Sequence, residues 1–226
     1  MQSLGMVIVV PFLLAFCSMI YELVLAQYIS LYFGGTVFNF TLTIGVFLAS
    51  MGLGALWSAR VARDQIYPVL EKVELGLCGL GLASPLLTSV LGSLSLTSSS
   101  PLFTQVLFGL CYGLVVMIGI LSGYEIPLLL GLFDNAKKKM TVLSLDYFGS
   151  FIAALCYPLL FVPHLGLVQT SLLVSFLNLL VALWIGYRFN KRYVLISAEL
   201  ALIAIVLVLM VQSFWLENWL RGWLYL

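Results

Sequence analysis

The chain has 226 residues, 63% hydrophobic and 8% charged, with a mean hydropathy of +1.16. Soluble domains carry roughly 25% charged residues, so this composition cannot cover a water-facing surface, and most of the exterior is expected to face lipid. The net charge of +1 says nothing about nucleic acid, but no basic patch is large enough to track a phosphate backbone, so no nucleic-acid partner is expected.

A transmembrane helix needs about 20 mainly apolar residues. The length therefore accommodates about seven spans and leaves no room for a soluble catalytic domain. The predicted fold is all-α, a polytopic transmembrane helix bundle over residues 1–214 followed by a distinct segment at 215–226. Span one covers about residues 4–33, and Gly34-Gly35 turns it into span two, about 36–59. Span three, about 69–92, ends at a Ser/Thr-rich loop, and span four covers about 102–133. A polar run through Lys137–Lys139 separates it from span five, about 141–161, and Pro163, His164 and Gly166 make the next turn. Span six, about 168–187, and span seven, about 193–214, are divided by Arg188, Lys191 and Arg192. The first span has no basic leader and extends too far for a signal peptide. The four cysteines, Cys17, Cys78, Cys111 and Cys156, all lie in apolar runs without metal-type spacing and read as buried thiols.

Arg60, Arg63, Lys137–Lys139, Arg188, Lys191 and Arg192 fall in the second, fourth and sixth loops, and the odd loops carry no Lys or Arg. Alternate loops lie on one side, so the pattern places the N-terminus and the even loops in the cytoplasm. In the last segment Trp215, Trp219 and Trp223 recur every fourth residue beside Leu216, Leu220 and Leu224. That spacing gives an amphipathic face suited to a helix lying in the outer interface; the alternative is that it extends span seven.

The most informative feature is a set of acids without bases. Glu22, Glu125 and Asp146 lie inside apolar spans, with no Lys or Arg at comparable depth. Such a carboxylate costs about 2.5–3.5 kcal/mol on insertion scales and stays ionised only beside a cation. A proton, a metal ion or an organic cation is the natural partner. Tyr21, Tyr124 and Tyr147 adjoin the three acids in sequence, and an aromatic ring beside a carboxylate suits a protonated amine. By depth, Glu22 and His164 form an expected outer pair, and Glu125 and Asp146 an inner pair. Glu71, Glu74 and Glu199 sit nearer the ends of their spans and are expected to be water-accessible. Pro127 is expected to kink span four and free carbonyls near Glu125. Tyr21-Glu22 with Gly45–Ala49 loosely parallels Tyr124-Glu125 with Gly149–Ala153, which suggests two halves of inverted topology. No cofactor motif, metal cluster or nucleophile–base pair is present, so no cofactor and no catalytic residue is expected.

Several motifs together carry a resemblance. Ser18-Met19-Ile20-Tyr21-Glu22-Leu23 and Thr43–Gly54 come first, then Gly123-Tyr124-Glu125-Ile126-Pro127-Leu128. Leu145-Asp146-Tyr147-Phe148-Gly149-Ser150, Tyr157-Pro158-Leu159-Leu160 and Pro163-His164-Leu165-Gly166-Leu167 follow in order. The chain resembles the membrane domain of the membrane-bound spermidine synthase-like (polyamine aminopropyltransferase-like) family over nearly all its length. The resemblance implies a bacterial inner-membrane location and a link to polyamine chemistry. That family's soluble aminopropyltransferase domain has no counterpart here, so its catalytic residues have no positions to map onto, and the resemblance does not imply that this chain is itself an enzyme. Two functions remain open. One is a module that binds or passes a polyamine or similar cation through Glu22, Glu125 and Asp146, with Tyr21, Tyr124, Tyr147 and His164 nearby. The other is an anchor or assembly subunit holding a soluble enzyme or another membrane protein at the bilayer, with Gly76, Gly79, Gly81 and Ala83 of span three giving a close-packing face.

Overall fold

The computed structural model describes residues 4–190 and 193–224, and it is all-α, with no strand among them. Seven helices follow one another: α1 (Leu4–Phe33), α2 (Thr36–Ser58), α3 (Ile66–Thr97), α4 (Pro101–Gly131), α5 (Ala136–Cys156), α6 (Val162–Ile185) and α7 (Tyr193–Leu224). A helix covers each of the seven predicted spans, with α3 running over Ile66–Thr97, longer at both ends than the expected 69–92. Gly34 and Gly35 take φ of 71° and 55°, left-handed values that suit glycine, and they reverse the chain between α1 and α2. Ser100 precedes Pro101 at the start of α4, and Asn135 accepts from the Lys137 amide at the start of α5 at 2.8 Å.

Five segments are long and apolar enough to cross a membrane: Val7–Phe33, Thr36–Ser58, Arg63–Thr97, Pro101–Gly131 and Ala136–Phe189. The last is folded in two. A π-helical turn at Tyr157–Phe161 leads into α6, and Gly166 then leaves helical geometry with φ 71° and ψ 178°, a region open essentially to glycine alone. Glu199–Gln212 is a shorter apolar stretch within α7. That helix runs unbroken to Leu224, so the backbone of 215–224 continues the seventh helix. The side chains of Trp215, Trp219 and Trp223, and all of residues 225–226, lie outside the described residues, as do Lys191 and Arg192.

One apolar cluster fixes the up-and-down order. It joins Val10 and Leu14 near the start of α1, Ile66 and Leu70 at the start of α3, and Leu128–Phe133 at the end of α4. Val142 near the start of α5 and Val181 and Ile185 at the end of α6 complete it. These ends therefore share one side of the bundle, and Arg60, Arg63, Lys137–Lys139 and Arg188 flank it.

The two halves pair crosswise. α2 runs along α4, α1 along α5, and α3 along α6. Exchanging α1–α3 with α4–α6 maps the first contact onto the second and the third onto itself, as an inverted repeat requires. Glycine makes the closest approaches possible. A Cβ on Gly123 would collide with the Met51 backbone, and one on Gly54 with the Ile120 carbonyl. A Cβ on Gly149 of α5 would meet the Phe12 carbonyl of α1.

α4 passes Pro127 without interruption. In α3, Pro85 removes the donor to the Gly81 carbonyl four residues earlier. That carbonyl is recaptured by the hydroxyls of Ser171 on α6, at 2.7 Å, and of Ser84, at 3.2 Å.

Candidate functional site

The interior of the bundle holds a polar cluster built by five helices. Glu125 of α4 is 2% exposed. One of its oxygens accepts from the Ser18 hydroxyl of α1 at 2.9 Å, and its Oε1 has no partner. Glu74 of α3 is 0% exposed, and neither of its carboxyl oxygens has a partner among the described residues. Glu74 and Asp146 both lie close enough to Glu125 for their charges to act on it. Asp146 projects from α5 and is half-buried. Glu74 thus joins Asp146 among the acids near Glu125.

The register of α6 extends the cluster. The Tyr21 hydroxyl of α1 meets that of Ser175 at 3.1 Å, and the Cys17 thiol points at the Val174 carbonyl. Glu74 acts on both Cys17 and Tyr21. Asn178 lies three and four residues beyond Ser175 and Val174, one turn along the same face. It is 0% exposed, and neither its amide nitrogen nor its oxygen has a partner. On α4, Ser122 sits one turn before Glu125 with a buried hydroxyl that is also unpartnered. Gly81 lets this corner close, because a Cβ there would lie 2.6 Å from the Ser175 hydroxyl and would also strike Tyr21.

The other expected site residues are placed elsewhere. Glu22 is buried one turn beyond Ser18 on α1 and makes no hydrogen bond or ion pair among the described residues. His164 is exposed just before Gly166. Tyr124 is half-buried between two apolar clusters, and Tyr147 is 72% exposed on the outer face of α5. Of the three tyrosines, only Tyr21 faces the acids.

The expectation that Glu71, Glu74 and Glu199 would be water-accessible is overturned, because all three are fully buried. α3 starts at Ile66, so Glu71 and Glu74 lie one and two turns inside the helix on the face turned to its neighbours, with Lys72 exposed on another face. Glu71 and Glu199 lie close to each other across α3 and α7. Glu71 lies against Gly186, where a Cβ would be 2.7 Å from its Oε1. Gly76 and Gly81, whose spacing suits either a partner helix or packing within the bundle, are used inside it: a Cβ at Gly76 would touch Leu121 at 3.0 Å.

Chemically the cluster offers carboxyl, amide and hydroxyl oxygens and no base. Among the described residues the one salt bridge is at the surface, between Arg63 and Asp134. No three His, Cys, Asp or Glu side chains there come close enough together to hold a metal ion. The arrangement therefore suits a proton or an ammonium group, which bind through individual hydrogen bonds. A groove of about 590 Å³ between α3, α6 and α7, lined by Leu82, Leu86, Val168 and Leu209 with Ser89 and Gln212, touches none of the acids.

A helical bundle of apolar segments with a buried acidic cluster is the class of protein described so far, and comparison with known proteins narrows it. The chain is 36% identical over 203 residues to the polyamine aminopropyltransferase of Leptospira interrogans, covering 88% of this chain and 39% of that protein. It is 32% identical over 193 residues to polyamine aminopropyltransferase 2 of Ralstonia nicotianae, covering 83% and 36%. The polyamine aminopropyltransferase of Oceanobacillus iheyensis matches at 30% over 192 residues, covering 80% and 35%. The chain is thus a homologue of the polyamine aminopropyltransferases, the spermidine synthase-like family its motifs resemble, and it spans less than two fifths of the length of these relatives. No family model matches it, and no solved structure matches it.

Proposed function

We propose that the chain is an integral module of the cell inner membrane, with its basic end in the cytoplasm, that holds a polyamine or similar cation at Glu74, Glu125 and Asp146. The observation that carries this reading is the pair of fully enclosed carboxyls, Glu74 and Glu125, with three oxygens unpartnered and no base beside them. Leaving such groups unsatisfied costs several kcal/mol each in an apolar interior, so their retention favours a ligand. The relatives' names supply the class of cation, and the crosswise pairing of the halves suits a site reached from either side. Glu22 and His164 stand apart from this cluster and are assigned no direct ligand role.

The test is calorimetric titration of spermidine into the purified chain beside Glu74→Gln, Glu125→Gln, Asp146→Asn and Glu22→Gln. Saturable binding is expected, weakened at least about tenfold (about 1.4 kcal/mol) by Glu125→Gln or Glu74→Gln, and less by the other two. A folded wild-type chain that binds no spermidine would overturn the reading. The second reading, an anchor or assembly subunit, draws its support from the grooves that stop short of the acids and from the close glycine packing inside the bundle. That outcome would favour it.

A further inference from the structure

The charge balance of the cluster leads one step beyond the proposed cation site, on which it rests. Consider the polar groups on the helices around Glu74 and Glu125. α1 carries Cys17, Ser18 and Tyr21; α3 adds Cys78; α4 carries the buried Ser122 one turn from Glu125; α5 brings Asp146; α6 carries Ser175 against Tyr21 and, one turn on, the buried Asn178. None is cationic. Lys72, the nearest base in sequence, is exposed on another face of α3. Two ionised carboxylates here would be enclosed side by side with a single hydroxyl donor, from Ser18, between them. Desolvating even one such charge costs several kcal/mol. The interior is neutral only when protons occupy the pair.

A protonated carboxyl needs an acceptor and a carboxylate needs donors. Asn178 has an unused Oδ1 and an unused Nδ2, is 0% exposed, and lies one turn along α6 from the residues that touch Cys17 and Tyr21. We infer that the Glu74–Glu125 pair takes up an ammonium group in exchange for protons, with the Asn178 amide oxygen as a further ligand. In each exchange one carboxyl O–H bond breaks and its proton passes to water. The carboxylate formed accepts a hydrogen bond from the arriving R–NH₃⁺, and no bond within the ligand changes. Total charge in the interior is the same before and after, which removes the main electrostatic obstacle to binding at this depth.

The experiment is titration of spermidine into the full chain in detergent at pH 7, run in two buffers of widely different ionisation heat. The difference in observed heat counts the protons released. About one proton per ammonium group seated is expected, with affinity rising up to about tenfold per pH unit while the pair is protonated. Glu74→Gln should lower the proton count. Asn178→Leu, close in volume, should weaken binding and leave the count unchanged. Equal heats in both buffers with binding intact would mean that the carboxylates were already ionised, and would overturn the exchange. Unchanged affinity in Asn178→Leu would overturn its part as a ligand. Absence of any binding would instead remove the cation site on which the exchange depends.

Discussion

The α2–α4 and α3–α6 interfaces both bring helix backbones close together, with opposite chemistry. Between α2 and α4 the approach is made by removing side chains: Gly54, Gly119 and Gly123 lie against backbone atoms or Ser50. Between α3 and α6 it is filled with polar groups: Ser171 bonds the Gly81 carbonyl, Ser175 meets Tyr21, and Glu74 and Asn178 are left with unused hydrogen-bonding atoms. Glycine contacts between helices gain from dispersion and from close fit, and the Ser50 hydroxyl there bonds the Val46 carbonyl of its own helix. A seam of unpartnered polar atoms weakens its interface and is hard to account for by packing alone. The first interface holds the halves together, and the second is where a ligand reading has support.

The strongest way to break the first interface is Gly123→Val. The added branches would meet the Met51 backbone, which cannot swing aside as a side chain tip could. Overpacking of this kind costs about 1–3 kcal/mol and sometimes more, and the top of that range is expected here. Thermal unfolding in detergent should show a large drop or no folded protein. A variant as stable as the parent would mean that the helices separate readily, and would weaken the contrast. Ser171→Ala, on the second interface, should cost less, about 1 kcal/mol. The carbonyl freed by Pro85 keeps the Ser84 hydroxyl when Ser171 is lost.

Asn178→Leu sharpens the comparison from the other direction. Replacing an unsatisfied buried amide by an apolar group of similar size should leave stability unchanged or raise it by up to about 1 kcal/mol, measured on the same melting curves. A loss of stability would show that Asn178 makes structural bonds in solution, and would move the α3–α6 seam toward the first interface in character. Paired with the loss of spermidine affinity expected above, a stable variant would separate function from packing at one residue.

Much of this architecture was legible in the sequence because lipid-length apolar runs leave few choices. Gly34-Gly35, the Ser/Thr loop, the lysine run and Pro163–Gly166 all punctuate the chain where the helices end or break. The site was legible only in part. Glu125 and Asp146 stood out as charges in apolar surroundings. Glu74 was misjudged because depth was counted from an assumed span start, when α3 begins earlier and buries its first turns. Asn178 carries no charge and barely changes a hydropathy average, so it drew no attention. The signal that could have found it is periodicity: Ser171, Ser175 and Asn178 recur at helical spacing on span six, and Glu74, Gly81, Ser84 and Thr88 do so on span three. Two polar stripes of that kind seek each other in an apolar bundle. Tyr147 misled because a neighbour in sequence points about 100° away on a helix, and its ring is turned outward.

The smallest expected effect lies outside both interfaces, at the basic end. Arg63, before α3, donates through both terminal nitrogens to Asp134, between α4 and α5, at 2.9 and 2.7 Å. The pair ties the loop leaving α2 to the loop leaving α4, so it spans the two helices of the glycine interface. Hydrogen bonding and then charge from the Arg63 guanidinium hold the Asp134 carboxyl below its ordinary value. A lowered carboxyl adds stability that is complete above the ordinary aspartate range near pH 4 and is lost as pH falls through the lower folded value. Both side chains are exposed, so the gain is small and screened by salt. Asp134→Asn should therefore melt slightly below the parent at pH 7 in low salt. The two curves should converge as pH falls through the lowered Asp134 value or as salt rises. A gap that survives both treatments would mean that Asp134 acts through the shape of its loop, and that the α2–α4 interface depends on its connections as well as on its glycines.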